Sequence, residues 1–65
     1  MTSDDFKAWL ADMKEAGLAT SDAHCGRLLG RSANQIVNMK NKGADKATGL
    51  ACSALLAGLD EYQKK

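Results

Sequence analysis

Amide side chains, not nucleophiles, are the groups best placed to do chemistry in this chain. Asn34, Gln35 and Asn38 fall in the run Ser21 to Asn41, which reads SDAHCGRLLGRSANQIVNMKN. Each amide offers a donor beside an acceptor. Set on a helix flanked by basic residues, such groups can pair with base edges in a major groove, and they favour N6 and N7 of adenine. The run has the layout of two short helices joined by a tight turn. Gly30 is the turn residue, and Ser32 restarts the chain as an N-cap.

The alternatives to amide chemistry are weak. His24 and Cys25 are adjacent, and neighbouring helical residues point about 100° apart, so they converge poorly. One histidine and two cysteines do not complete a tetrahedral zinc site without a fourth ligand. Neither a catalytic residue, a metal site nor a cofactor is therefore expected, and no small-molecule substrate is evident. Cys25 reads as core and His24 as surface. Ser21, Ser32 and Asp45 read as helix caps. Trp9 reads as a core anchor before a stacking platform.

Four helices must position these groups, and no stretch alternates as a strand would. The first is expected from about Ser3 or Asp4 to Ala16, with Ser3 as N-cap and Gly17 as the stop. Phe6, Trp9, Leu10 and Met13 recur on one face of it. The second follows Thr20 or Ser21 and ends before Gly30, with Cys25, Leu28 and Leu29 inward. Gly26 inside it costs about 1 kcal/mol against alanine, which points to close approach of a neighbouring helix. The third follows Ser32 and runs to about Asn41, anchored by Ile36 and Met39, with Gly43 ending it. The fourth follows Asp45 and runs to about Tyr62. Its expected stripe is Ala47, Leu50, Ala51, Ala54, Leu55, Leu59 and Tyr62, widened by Cys52 and Leu56.

This order of residues resembles the Cro/repressor-type helix-turn-helix family, also called XRE-like, over about Ala16 to Leu59. Cys25 fits the early apolar position, Gly26 the small contact position, and Leu29 and Gly30 the apolar-glycine close. Ile36 and Met39 fit the two anchors of the second helix. The resemblance implies an all-α, lambda-repressor-like domain of four helices. It places base contacts at Ala33, Asn34 and Asn38, with Gln35 as a neighbour. It places phosphate contacts at Ser32 and on the loop after the reading helix, here Lys40, Asn41 and Lys42. Three positions depart from the pattern. Arg31 stands where the family has an apolar or small residue and is expected to reach outward to a phosphate. Asp22 stands where an amide often touches phosphate, and a carboxylate there would be repelled. Lys40 replaces a common acidic residue.

Charge distribution agrees with a phosphate-facing surface. The formal net charge is +1, but it is unevenly spread. Residues 1–25 carry Lys7 and Lys14 against Asp4, Asp5, Asp12, Glu15 and Asp22, a net of −3. Residues 26–48 carry Arg27, Arg31, Lys40, Lys42 and Lys46 against Asp45, a net of +4. Such a basic segment is the electrostatic footprint of nucleic-acid binding.

Size bounds the rest. Sixty-five residues make a single domain, residues 1–65, whose core is marginal unless the chain packs well or oligomerises. No apolar run approaches the ~20 residues of a membrane span, and the start lacks the pattern of a signal peptide. Reduced cysteines and a cytoplasmic setting are expected. The leading expectation is a DNA-binding transcriptional regulator, a repressor or autoregulator, acting on a palindromic operator of double-stranded DNA. One reading helix covers few base pairs, so a homodimer is expected, built on Leu55, Leu56 and Leu59. The rival is a protein-binding helical module, antitoxin-like or an inhibitor adaptor, that works through its acidic N-terminal third without reading DNA.

Overall fold

The computed structural model describes residues 1–62, and among them the chain forms four helices and no strand. These are α1 (Ser3–Glu15), α2 (Asp22–Leu29), α3 (Ala33–Lys42) and α4 (Lys46–Leu56). The radius of gyration is 11.1 Å, close to the roughly 11 Å of a folded chain of this length. No helix among the described residues is long and apolar enough to cross a membrane.

α1 is the organising element, because its apolar residues recur every three or four positions. Phe6, Trp9, Leu10 and Met13 are all buried and meet Ala19, Cys25, Ile36 and Cys52. The Phe6 and Trp9 rings lie 5.6 Å apart in a tilted pair. Trp9 also donates its indole N–H to the Cys52 carbonyl at 2.9 Å, which ties α1 to α4. Both cysteines are free and buried, and burial pushes the Cys52 thiol up to about 11. Both pack as small apolar residues of the core.

Two expected helix limits need correction. The N-cap of α1 is Thr2, not Ser3: its hydroxyl accepts from the Asp5 N–H at 3.1 Å. α4 ends at Leu56, short of Tyr62. The Gly58 N–H donates to the Leu55 carbonyl and the Leu59 N–H to the Ala54 carbonyl, with Gly58 at φ 76°. This paired closure spends the last carbonyls of α4 and turns the chain away. Leu59 and Tyr62 are therefore off the helix and exposed, as is Leu50. The buried residues of α4 are Thr48 and Cys52.

Two glycines decide how α3 is held. A Cβ on Gly26 would lie 3.0 Å from Ile36 Cγ1 and 3.3 Å from the Arg31 carbonyl, so α2 approaches α3 as closely as the sequence implied. Gly43 ends α3 with φ 87° and ψ −173°, a region essentially reserved for glycine. A Cβ there would meet the Met1 carbonyl at 2.5 Å. The N-terminal segment thus braces the end of α3, and the Ala44 N–H donates to the Met1 carbonyl at 2.9 Å.

Candidate nucleic-acid interface

α3 packs on α1 and α2 but not on α4. Ile36 is buried and Met39 is packed against the core, which fixes the inward side. The outward side follows from helical geometry: residues three, four and seven apart share a face. Asn34, Val37, Asn38 and Asn41 make up that face, and all are exposed. Ala33 is exposed at its N-terminal edge. Asn34 and Asn38 therefore lie on the outward side of a helix packed from behind through Ile36 and Met39.

Asn41 belongs to this face and not to a loop. Lys40, Asn41 and Lys42 were expected in the connection after the reading helix, but all three are helical. The helix continues because nothing breaks it before Gly43. Val37, 54 % exposed, adds an apolar side chain to this face that its place beside Ile36 conceals. The signal was its spacing, since it lies one residue off the Ile36–Met39 anchor line.

Gln35 has a different job from its neighbours. Its side-chain oxygen accepts from the Ser32 N–H at 2.8 Å, while its own N–H donates to the Ser32 hydroxyl at 3.2 Å. This reciprocal capping box fixes the start of α3 and takes Gln35 out of the exposed amide row. Serine followed three residues later by glutamine was the available signal. Ser32 is likewise engaged as the cap.

Arg31 does not reach outward as expected. Its guanidinium donates to the Thr48 hydroxyl at 3.1 Å. Thr48 is buried, and a buried hydroxyl needs a partner. The Thr48 N–H in turn donates to Asp45 at 2.8 Å. The Thr48 side chain and then its backbone N–H hold the Asp45 carboxyl below the usual carboxylate range. The turn before α3 is thereby fastened to the cap of α4.

Asp22 is neutralised where it stands. Lys14 Nζ approaches one carboxylate oxygen at 2.8 Å and Lys40 Nζ the other at 3.1 Å. Hydrogen bonds from Lys14 and then Lys40 lower the Asp22 carboxyl below its ordinary range. The same bond raises the Lys14 ammonium. Two lysines on one carboxylate leave a net positive cluster, so the repulsion expected of Asp22 is offset. Lys40 is half-buried and committed to this contact. Lys42 and Lys46 are exposed, and among the described residues neither has an ion-pair partner within 4 Å.

A shallow cleft of about 490 Å³ runs between α2 and α3, floored by Ala23, Gly26, Ile36 and Val37 and edged by Arg27 and Lys40. Its floor is continuous with the exposed face of α3 through Val37. The leucines expected at a dimer contact lie elsewhere. Leu55 is half-buried against the core, and Leu59 is exposed beside it. Leu56 is exposed at the end of α4. His24 accepts from the Thr20 N–H through Nδ1 at 3.1 Å and braces the start of α2.

No protein-family model, curated protein or solved structure matches the chain.

Proposed function

We propose that this chain is a sequence-specific DNA-binding regulator in which α2, the Gly30 turn and α3 act as a helix-turn-helix of the Cro/repressor type. The observation that carries the reading is the outward face of α3, with Asn34, Asn38 and Asn41 in one row and Val37 beside them. Three exposed amides on a helix anchored from behind suit base edges in a major groove, and an apolar contact suits a thymine methyl. The bases favoured are adenine and thymine. Ala33 lets the backbone approach closely, and Ser32 and Gln35 fix the helix start. Lys42 and Lys46 lie past the amide row, where phosphates flank a groove.

Selection of bound duplexes from random DNA tests this reading. The expected product is a short preferred motif rich in adenine–thymine pairs. Recovery of unenriched sequence would count against it.

Asp22 tunes the same surface. Asp22→Asn frees Lys14 and Lys40, so binding to all duplexes is expected to tighten several-fold. The fall of log K with log salt should steepen by roughly one unit for each phosphate newly neutralised. Lys42→Ala is expected to make it shallower by about one unit, while Lys40→Ala has a smaller effect because its charge is already spent on Asp22. An unchanged slope for Asp22→Asn would place Lys40 away from the backbone.

The same carboxylate sets a pH dependence of stability. The lowered Asp22 carboxyl contributes stability that is fully present above its ordinary range and is lost as pH falls through the folded value. The raised Lys14 ammonium contributes stability present below the ordinary lysine range and lost as pH rises through its folded value. Asp22→Asn should weaken both limbs in a thermal-melt series across pH.

A further inference from the structure

The cleft between α2 and α3 follows from residue size. Ala23, Gly26 and Arg27 share one side of α2, and Ala33, Ile36, Val37 and Lys40 share one side of α3, by their spacing of three and four. The helices touch where Ile36 meets Gly26. Around that contact Ala23 and Ala33 offer only methyl groups, so the space stays open. Its volume, about 490 Å³, falls within the roughly 300–1,000 Å³ of small-molecule sites.

The floor is apolar and the edge is cationic. Arg27 is exposed at the edge and, among the described residues, has no ion-pair partner within 4 Å. Lys40 joins it there. Asp22, the carboxylate in the lining, has one oxygen taken by Lys14 and the other by Lys40. It therefore leaves the positive charge of the cleft standing.

We propose that this cleft binds a small organic anion, an apolar body carrying one carboxylate, and that the bound anion competes with DNA for α3. A neutral apolar molecule would leave Arg27 and Lys40 unanswered. A mineral anion would leave Ala23, Ile36 and Val37 facing water. An amphipathic anion answers both: its body covers the floor, and its carboxylate meets a guanidinium able to bond it through two parallel N–H donors.

Competition follows from shared residues. Ala33 and Val37 line the cleft and also belong to the outward side of α3. A ligand seated on them stands between the helix and a groove, and its charge cancels cations that would otherwise attract phosphate. This exclusion rests on the base-reading proposal; the binding of the anion does not. The coupling is reciprocal, so DNA weakens the anion by the factor by which the anion weakens DNA.

Naphthylacetate serves as the probe, with uncharged naphthylacetamide and acetate beside it. Methyl signals of carbon-13-labelled protein are followed without DNA up to millimolar probe. Naphthylacetate is expected to shift Ala23, Ile36 and Val37 and to saturate. Naphthylacetamide should bind about fivefold more weakly, the share of a partly exposed ion pair, and acetate should not saturate. Arg27→Gln should bring naphthylacetate down to the level of its amide. Ala23→Leu, which fills the floor, should abolish saturation by either. Both positions are exposed, and unchanged helicity checks the fold. The selected duplex is then titrated at saturating probe. Its affinity should fall several-fold in the wild type and should not respond to the probe in Ala23→Leu.

A probe that binds no more tightly than its amide, or that moves Leu28, Leu55 and Leu59 in place of the cleft methyls, overturns the proposal. So does saturation of the cleft that leaves affinity for the selected duplex unchanged. A chain that selects a DNA motif but never takes up the probe sinks the anion site and leaves the base-reading intact. A chain that saturates with the probe as expected but binds every duplex alike upholds the anion site and sinks the base-reading.

Discussion

Replacing Asn34 and Asn38 together by alanine is expected to abolish preference for the selected motif while leaving weak binding to all duplexes. Each well-placed amide–base contact contributes about 1–3 kcal/mol of discrimination, roughly 5- to 150-fold in affinity. Two such losses remove most of the gap between specific and non-specific binding. Both side chains are exposed, so the melting curve should barely move. Asn41→Ala is expected to behave like either single variant, because the structure sets it on the same face. The salt slope should stay nearly the same in all of them, since no phosphate contact is lost. Competition binding with selected and scrambled duplexes measures the effect. A double variant that keeps the wild-type ratio between the two duplexes would remove the amide row from the mechanism.

Trp9→Ala is expected to unfold the domain. Trp9 is 4 % exposed, lies against Phe6 in a tilted pair and holds α4 through the Cys52 carbonyl. Truncating a buried tryptophan costs about 3–5 kcal/mol. A core in a chain this short rarely supplies more than about 3–5 kcal/mol in all. The milder Trp9→Phe keeps a ring but loses the indole N–H. Its expected cost is about 1 kcal/mol, or a fall in Tm of roughly 4–8 °C. Circular dichroism on heating distinguishes the two. A Trp9→Ala chain with a native spectrum and a cooperative melt near the wild-type Tm would mean that the core does not depend on this anchor.

Much of the fold was legible because its signals are local. The apolar spacing of α1, the Ser32 and Asp45 caps, and Gly26 as a contact residue each follow from a residue type at its own position. The end of α4 is set by an equally local signal. Ala-Gly-Leu stands at residues 16–18 and again at 57–59, and it closes α1 and α4 by the same pair of hydrogen bonds. The continuing leucines masked the second stop. Thr2 and Ser3 offer equivalent hydroxyls in adjacent positions, and only hydrogen-bond geometry chooses between them.

The candidate site divides in the same way. The exposure of Asn34 and Asn38 on α3 follows from their place after a capped turn. Gln35 carries a capping role that its amide alone does not announce; the serine three residues before it is the signal. Arg31 and Lys40 could not be placed from the sequence. Their partners, Thr48 and Asp22, lie 17 and 18 residues away, and no periodicity links them. Such contacts arise only once α2, α3 and α4 have packed.

The central claim is that the outward face of α3 meets base edges. The most direct measurement follows the side-chain NH₂ signals of Asn34, Asn38 and Asn41 in nitrogen-15-labelled protein titrated with its selected duplex and with a scrambled one. All three signals are expected to shift and saturate with the selected duplex and to move far less with the scrambled one. Amide signals that remain still, or that respond alike to both duplexes, would contradict the account.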